Sequence, residues 1–287
     1  MAASPRARTI VPIGAAKRET MTMTSQPTCN TFTAPAESYD RLMGRYLPSL
    51  APVFADAAGI RGGMRLLDVG CGPGGLTREL ARRAGAGQVA AIDPSPPFVA
   101  ACRERNPGVD VRHGVAEDLP FAGAAFDAAL ASLVVGFMTD PVRGLGEMAR
   151  VTRPGGTVAA CFWDPGRMPA LGIFWAAAAS VDPAVTGELR RPGTAPGDLA
   201  ALLTQAGLQE VRQDVISARA EYTGFEDWWS PYTLGVGPAG VYYRSLDAPQ
   251  REAVRAECRQ LLGRPVGRFT LEAACWFAAG TTPGPDR

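Results

Sequence analysis

The chain has 287 residues, 46% of them hydrophobic and 20% charged, a composition that excludes disordered, fibrous and collagen-like proteins and suits one globular unit with embellishments. Lys and Arg number 29 against 28 Asp and Glu, with no basic stripe, so no nucleic-acid partner is expected. No apolar run approaches the roughly 20 residues of a membrane span.

Residues 1–33 are rich in Ser, Thr, Pro and Arg without hydrophobic period and are expected to be a disordered extension, with Met21 and Met23 as alternative starts. A single unit is expected over 34–287. Tyr39, Leu42, Met43 and Tyr46 recur at helical spacing, so an amphipathic helix is predicted over Ala36–Tyr46, and after Pro48 and Pro52 a second over Val53–Ala58. Strands then alternate with helices. The strands are Met64–Val69, Gln88–Ile92, Val109–Arg112, Phe126–Val135 and Thr157–Trp163, and helices over Leu76–Arg83, Pro97–Arg105 and Val142–Val151 separate them. Arg153-Pro154-Gly155-Gly156 reads as a turn, with Pro at the second and Gly at the third position. Continuous apolar strands interleaved with helices predict a parallel sheet covered on both faces.

Beyond Trp163 the rhythm breaks. An Ala-rich helix carries Phe174 and Trp175, a helix ends at Gly207, and a strand follows over Leu208–Ala220. Residues 224–246 are crowded with Trp228, Trp229, Tyr232, Tyr242 and Tyr243. A helix over Ala248–Leu262 then leads to a last strand, Arg268–Phe277. The six cysteines form no CxxC pair and only one histidine is present. Neither a disulfide framework nor a metal site is expected, and a reduced, cytoplasmic protein is. Lys17 is the only lysine, which leaves no Schiff-base lysine in the folded body.

The chemistry concentrates in Leu66-Leu67-Asp68-Val69-Gly70-Cys71-Gly72-Pro73-Gly74-Gly75. A strand ends in a carboxylate, and glycines let a ligand touch the backbone before a helix begins. Asp93 closes the next strand, where a carboxylate accepts hydrogen bonds from a ribose diol. Further signatures follow in order: Ala116-Glu117-Asp118-Leu119-Pro120-Phe121, Phe126-Asp127, and Ala149 to Gly156 before the fifth strand.

These segments together resemble class I S-adenosylmethionine-dependent methyltransferases of the small-molecule subgroup. The resemblance implies an α/β, Rossmann-like, seven-stranded sheet, mostly parallel with the last strand antiparallel, helices on both faces and a helical, aromatic lid. The cofactor-binding core would be 61–164, with lid segments at 34–60, 165–197 and 224–246. It further implies that Asp68, Gly70, Cys71, Gly72, Pro73 and Gly74 surround the methionine part of S-adenosyl-L-methionine. Asp93 would hold its ribose, Pro94, Ala116 and Glu117 would line the adenine, and Ser132 would face the sulfonium. Tyr39 and Arg45 look like lid residues, with Arg45 a partner for the cofactor carboxylate. Val115 stands where relatives often carry an Asp.

Gly70, Gly72 and Gly75 also spell G-x-G-x-x-G, so an NAD(P)-dependent oxidoreductase is the competing reading. Electrostatics favours the first: Asp68 beside a pyrophosphate is repulsive, and beside an ammonium and a sulfonium attractive. A non-catalytic S-adenosylmethionine binder is a third possibility. His113 reads as structural. Asp164, Tyr39 and Glu226 are the candidate catalytic groups. Trp163, Phe174, Trp175, Trp228, Trp229, Tyr232 and Tyr242 are the candidate walls of a site for an apolar or aromatic small-molecule acceptor such as a secondary metabolite.

Overall fold

In the computed structural model, residues 35–185, 187 and 191–284 are described; the expected extension 1–33 lies outside them. The strands are β1 (Leu66–Val69), β2 (Val89–Asp93), β3 (Asp110–His113), β4 (Phe126–Ser132), β5 (Thr152–Trp163), β6 (Gln209–Tyr222) and β7 (Phe269–Thr281). They form one sheet in the order β3-β2-β1-β4-β5-β7-β6. The first five pair in parallel, and β7 runs antiparallel between β5 and β6. Strand order reverses between β1 and β4, which is where an open sheet of this kind receives a ligand, outside the carboxyl ends of its strands.

Period-two alternation divides the core. Leu66, Ala128, Leu130, Ala159 and Cys161 face one layer, which holds α2 (Leu47–Ala57), α3 (Gly75–Ala84), α6 (Pro169–Val181) and α10 (Ala248–Leu261). Leu67, Ala129, Ala131, Val158 and Ala160 face the other, with α5 (Pro141–Val151) and α7 (Asp198–Gln205). Because both faces are covered, β1 and β2 are buried at every position, and their sequences read as unbroken apolar runs. α4 (Pro96–Arg105) packs Val99 and Cys102 against Ala91 and Val111.

Several element bounds differ from the sequence reading. The first helix, α1 (Ala36–Leu42), stops short and continues as a 3-10 turn, Gly44–Tyr46. α2 runs through Pro52, with Pro48 in its first turn; burial of Leu50, Ala51, Phe54 and Ala55 outweighs the one helical hydrogen bond that Pro52 forfeits. β4 ends at Ser132 because Leu133 is left-handed, with φ 61°, and its N–H bonds Cys161 O at 2.9 Å. The Pro154-Gly155 turn is a bulge inside β5: Gly155 has φ 69°, and the register jumps from Phe126 opposite Thr152 to Ala128 opposite Thr157. β7 continues to Thr281 because Ala278, Ala279 and Gly280 still pair with β5.

One aromatic-rich layer is built from α6, α8 (Phe225–Trp229), α9 (Gly237–Ser245) and α10. Phe174 stacks on Tyr232 with ring centroids 4.6 Å apart, and the Tyr232 hydroxyl donates to Ala170 O at 2.9 Å. Trp228 lies 5.1 Å from the same Tyr232 ring, and Phe225 stacks on Trp229 at 6.2 Å. No helix among the described residues is long and apolar enough to cross a membrane.

Candidate active site

β1 delivers Asp68 to the carboxyl edge fully buried. Its Oδ2 accepts from the Thr77 hydroxyl at 2.6 Å, and its Oδ1 is buried with no hydrogen-bond partner. Burial pushes the Asp68 carboxyl up to about 7, the Thr77 hydrogen bond pulling down against it and nearby Asp93 adding to it. Asp93, at the end of β2, accepts from Gly72 N and Ser95 N, both at 2.8 Å. Burial raises its carboxyl to about 6 against those two amides.

The glycines between these acids do different work. A Cβ on Gly70 would sit 2.4 Å from Val134, and one on Gly74 2.2 Å from Asn106 Nδ2, so both positions are closed by packing. Gly72 has φ 54° and nothing within 4 Å of an added Cβ. It is the open face of the turn, where a ligand can lie on the backbone.

Tyr39 on α1 packs on Phe98, with centroids 5.3 Å apart. Burial, with Asp93, Asp40 and Asp68 behind it, holds its hydroxyl well above the usual tyrosine range. Tyr39 therefore stays protonated at neutral pH and is no general base. It also lines an apolar cavity of about 50 Å³ with Leu42, Met43, Leu133, Phe137 and Trp163. Leu171 and residues 236–239 complete the wall from the side of the aromatic layer.

The remaining expected site residues are placed as follows. Ser132 ends β4 with its Oγ 3.6 Å from Cys161 Sγ. Pro94 O meets His113 Nε2 at 3.0 Å. Ala116 is buried against Gly144. Glu117 Oε1 accepts from Thr139 N at 2.7 Å and Asp140 N at 3.2 Å, so its carboxylate braces the loop after β4. Cys71 is buried, and its thiol donates to Gly72 O at 3.5 Å.

Three expectations are corrected. Arg45 does not reach the glycine turn: it pairs with Asp227 at 3.0 Å, donates to Glu221 O and lies 4.4 Å over the Tyr222 ring. It ties α1 to the aromatic layer and to β6. Arg45→Met is expected to lower stability by about 1 kcal/mol while changing cofactor affinity less than about threefold, read by thermal melting and calorimetry. Asp164 is a turn cap, accepting from Gly166 N at 2.9 Å and from Arg167 Nε at 2.6 Å. Glu226 is 65% exposed and paired with Arg255, outside the cavity. Both acids are engaged by an arginine, Asp164 with Arg167 and Glu226 with Arg255.

The aromatic expectation divides. Trp163 lines the cavity, edge-on to Tyr46 at 5.3 Å. Phe174, Trp228, Trp229 and Tyr232 are buried against one another in this aromatic layer, with Trp228 Nε1 left without a hydrogen-bond partner. Trp175 and Tyr242 lie 5.6 Å apart in the same cluster. The lining residues Leu133, Phe137 and Leu171 were not singled out in the sequence; the one signal for the first two is their position just past the end of β4.

Whether a cofactor fits is decided at Asp68. An acceptor oxygen that is buried and unpartnered costs free energy until a donor reaches it, and a carboxyl poised near 7 becomes fully anionic only beside a cation. Two raised acids flanking the turn repel a pyrophosphate and suit the ammonium and ribose diol of S-adenosylmethionine.

Residues 67–160 match the family model described as a methyltransferase domain. Over these residues the chain is similar to a methyltransferase domain. Curated relatives include the malonyl-[acyl-carrier protein] O-methyltransferase of Pectobacterium atrosepticum, 32% identical over 52% of this chain and 58% of the relative. The demethylmenaquinone methyltransferase of Beutenbergia cavernae is 41% identical over 35% of this chain and 41% of its own length. The chain thus spans about half the length of the curated relatives it matches. The phosphoethanolamine N-methyltransferase 2 of Haemonchus contortus, solved with S-adenosyl-L-methionine, shares the fold with a TM-score of 0.55 at 15% identity, covering 86% of this chain and 56% of that one.

Proposed function

We propose that this protein transfers a methyl group from S-adenosylmethionine to a small apolar acceptor that presents an acidic phenol or enol oxygen. The observation that carries the reading is the buried, unpartnered Asp68 Oδ1 beside the open Gly72, with an apolar cavity adjoining at Tyr39. S-adenosylmethionine supplies an activated methyl group on a sulfonium. Asp68 would receive its ammonium, Asp93 its ribose hydroxyls, and Gly72 would let it lie on the turn. Tyr39 lines the cavity and, held protonated, is available as a hydrogen-bond donor.

The acceptor chemistry follows from what lines the cavity. Its walls are aliphatic and aromatic and carry no Lys, Arg, His, Asp or Glu. The described walls therefore offer orientation and exclusion of water, not proton abstraction, and the acceptor must bring a nucleophile that needs no base near neutral pH, for which an acidic phenol or enol oxygen is the class proposed. At about 50 Å³ the cavity has space for only a few waters.

The same small volume favours, as a second reading, a protein that binds S-adenosylmethionine without transferring its methyl group. Incubation with methyl-labelled S-adenosylmethionine and a series of apolar phenols, enols and alcohols separates them. Label transfer to the acidic phenols or enols and not to the alcohols is the expected result. Transfer to unactivated alcohols would require a base that the cavity lacks and would overturn the acceptor assignment. Binding without transfer to any member would favour the second reading.

A further inference from the structure

Beneath the glycine turn lies a row of buried polar side chains that ends at Asp68. Asp68, Thr77 and Cys102 are 0% exposed and Asn106 is 5% exposed, on β1, α3, α4 and the end of α4. Thr77 Oγ1 donates to Asp68 Oδ2 at 2.6 Å, Cys102 Sγ donates to Thr77 Oγ1 at 3.6 Å, and Asn106 Nδ2 donates to Cys102 Sγ at 3.7 Å. The direction of the row is fixed at Asp68, because an ionised carboxylate only accepts and the Thr77 hydroxyl must donate to it. Asn106 Nδ2 also faces Cys102 O at 3.0 Å and Gly74 O at 3.4 Å, and two carbonyl acceptors require the amide nitrogen there. A hydroxyl has one proton to give. With a thiol donating into it, the Thr77 oxygen turns its proton to Asp68.

We propose that Asn106, Cys102 and Thr77 form a one-way hydrogen-bond relay that keeps Asp68 as the anion receiving the cofactor's ammonium, and that Thr77 is the positioning residue setting the pH range of cofactor binding. This rests on the reading of Asp68 given above. Three groups face the carboxylate besides the relay: Asp93 from β2, Tyr39 from α1 and Cys71 from the turn. Asp93 opposes its ionisation, and Cys71 and Tyr39, both raised, stay neutral. Thr77→Val keeps the side chain's shape and removes the side-chain hydroxyl that bonds Asp68, so it isolates that hydrogen bond.

The test is calorimetric titration with S-adenosylhomocysteine from pH 5.5 to 8.5 for the parent, Thr77→Val, Thr77→Ser and Cys102→Ala, each checked by thermal melting. Thr77→Val is expected to move the midpoint of the affinity profile up by about one pH unit, about tenfold in affinity at neutral pH, and to converge on the parent at the alkaline end. Thr77→Ser restores the parental midpoint, and Cys102→Ala moves it in the same direction by less. A loss of affinity equal at every pH would mark Thr77 as merely structural and overturn the relay, as would an unmoved midpoint. If Thr77→Val does not fold, an unmoved midpoint in Cys102→Ala overturns it. Failure of the parent to bind S-adenosylhomocysteine at any pH instead overturns the cofactor reading on which the relay rests.

Discussion

Asp68→Asn is expected to melt no lower than the parent at pH 7.5 and to lose S-adenosylhomocysteine affinity by at least about 100-fold. The two halves have one cause. In the ligand-free fold Asp68 holds a carboxyl raised to about 7 by burial, with one oxygen unpartnered, so ionising it opposes folding. Asparagine keeps the shape and the Thr77 contact without that charge. The ligand's ammonium then meets a neutral amide, and a buried cation without an anion is penalised by several kcal/mol of lost charge-assisted bonding. A variant that unfolds would assign Asp68 to the scaffold, and one that binds normally would remove the ammonium from this position.

The second large effect is with pH, and its sign is opposite for stability and for binding. Asp68 and Asp93 have folded values of about 7 and about 6, above the ordinary carboxylate value. The folded protein therefore binds more protons than the unfolded chain between about pH 4 and 7, and the stability these two contribute is present at low pH and lost as pH rises through 6 to 7. Ligand-free protein is expected to be more stable at pH 5.5 than at pH 7.5 by about 2 to 3 kcal/mol from this pair. Glu79, Asp127, Glu147 and Asp227 are lowered by arginine or backbone partners, and their contribution is lost only as pH falls through the carboxylate range, below this window. Binding runs the other way. The ionised fraction of Asp68 falls on acidification, so affinity for S-adenosylhomocysteine drops about twentyfold or more between pH 7.5 and 5.5. Melting curves with and without ligand at the two pH values check both signs, and Asp68→Asn should flatten each profile.

The core of the fold was legible because period and punctuation agree there. β1 and β2 are apolar runs ended by Asp68-to-Gly74 and by Asp93-Pro94, and the structure stops them at Val69 and Asp93. Asp68, Gly72 and Asp93 meet at that edge, as strand ends in a parallel sheet must. What was not legible is set by tertiary contacts. Nothing in an apolar stretch announces that Leu133 adopts a left-handed conformation and ends β4, a strained state that its surroundings impose. Arg45 looked free to reach a ligand because Asp227, its partner, is 182 residues away in the chain. The aromatics Phe174, Trp228 and Tyr232 could be walls or core by composition alone; their stacking in the aromatic layer decides for core. The cavity wall is instead drawn from single residues of α1, the β4 end and the start of α9, which no local pattern connects.

The most direct measurement is titration of the full chain at pH 7.5 with S-adenosylhomocysteine and, in parallel, with NAD. Micromolar binding of S-adenosylhomocysteine with no heat from NAD is the result required by a carboxylate-flanked turn that receives an ammonium and a ribose. Binding of NAD, or no binding of S-adenosylhomocysteine, would contradict it.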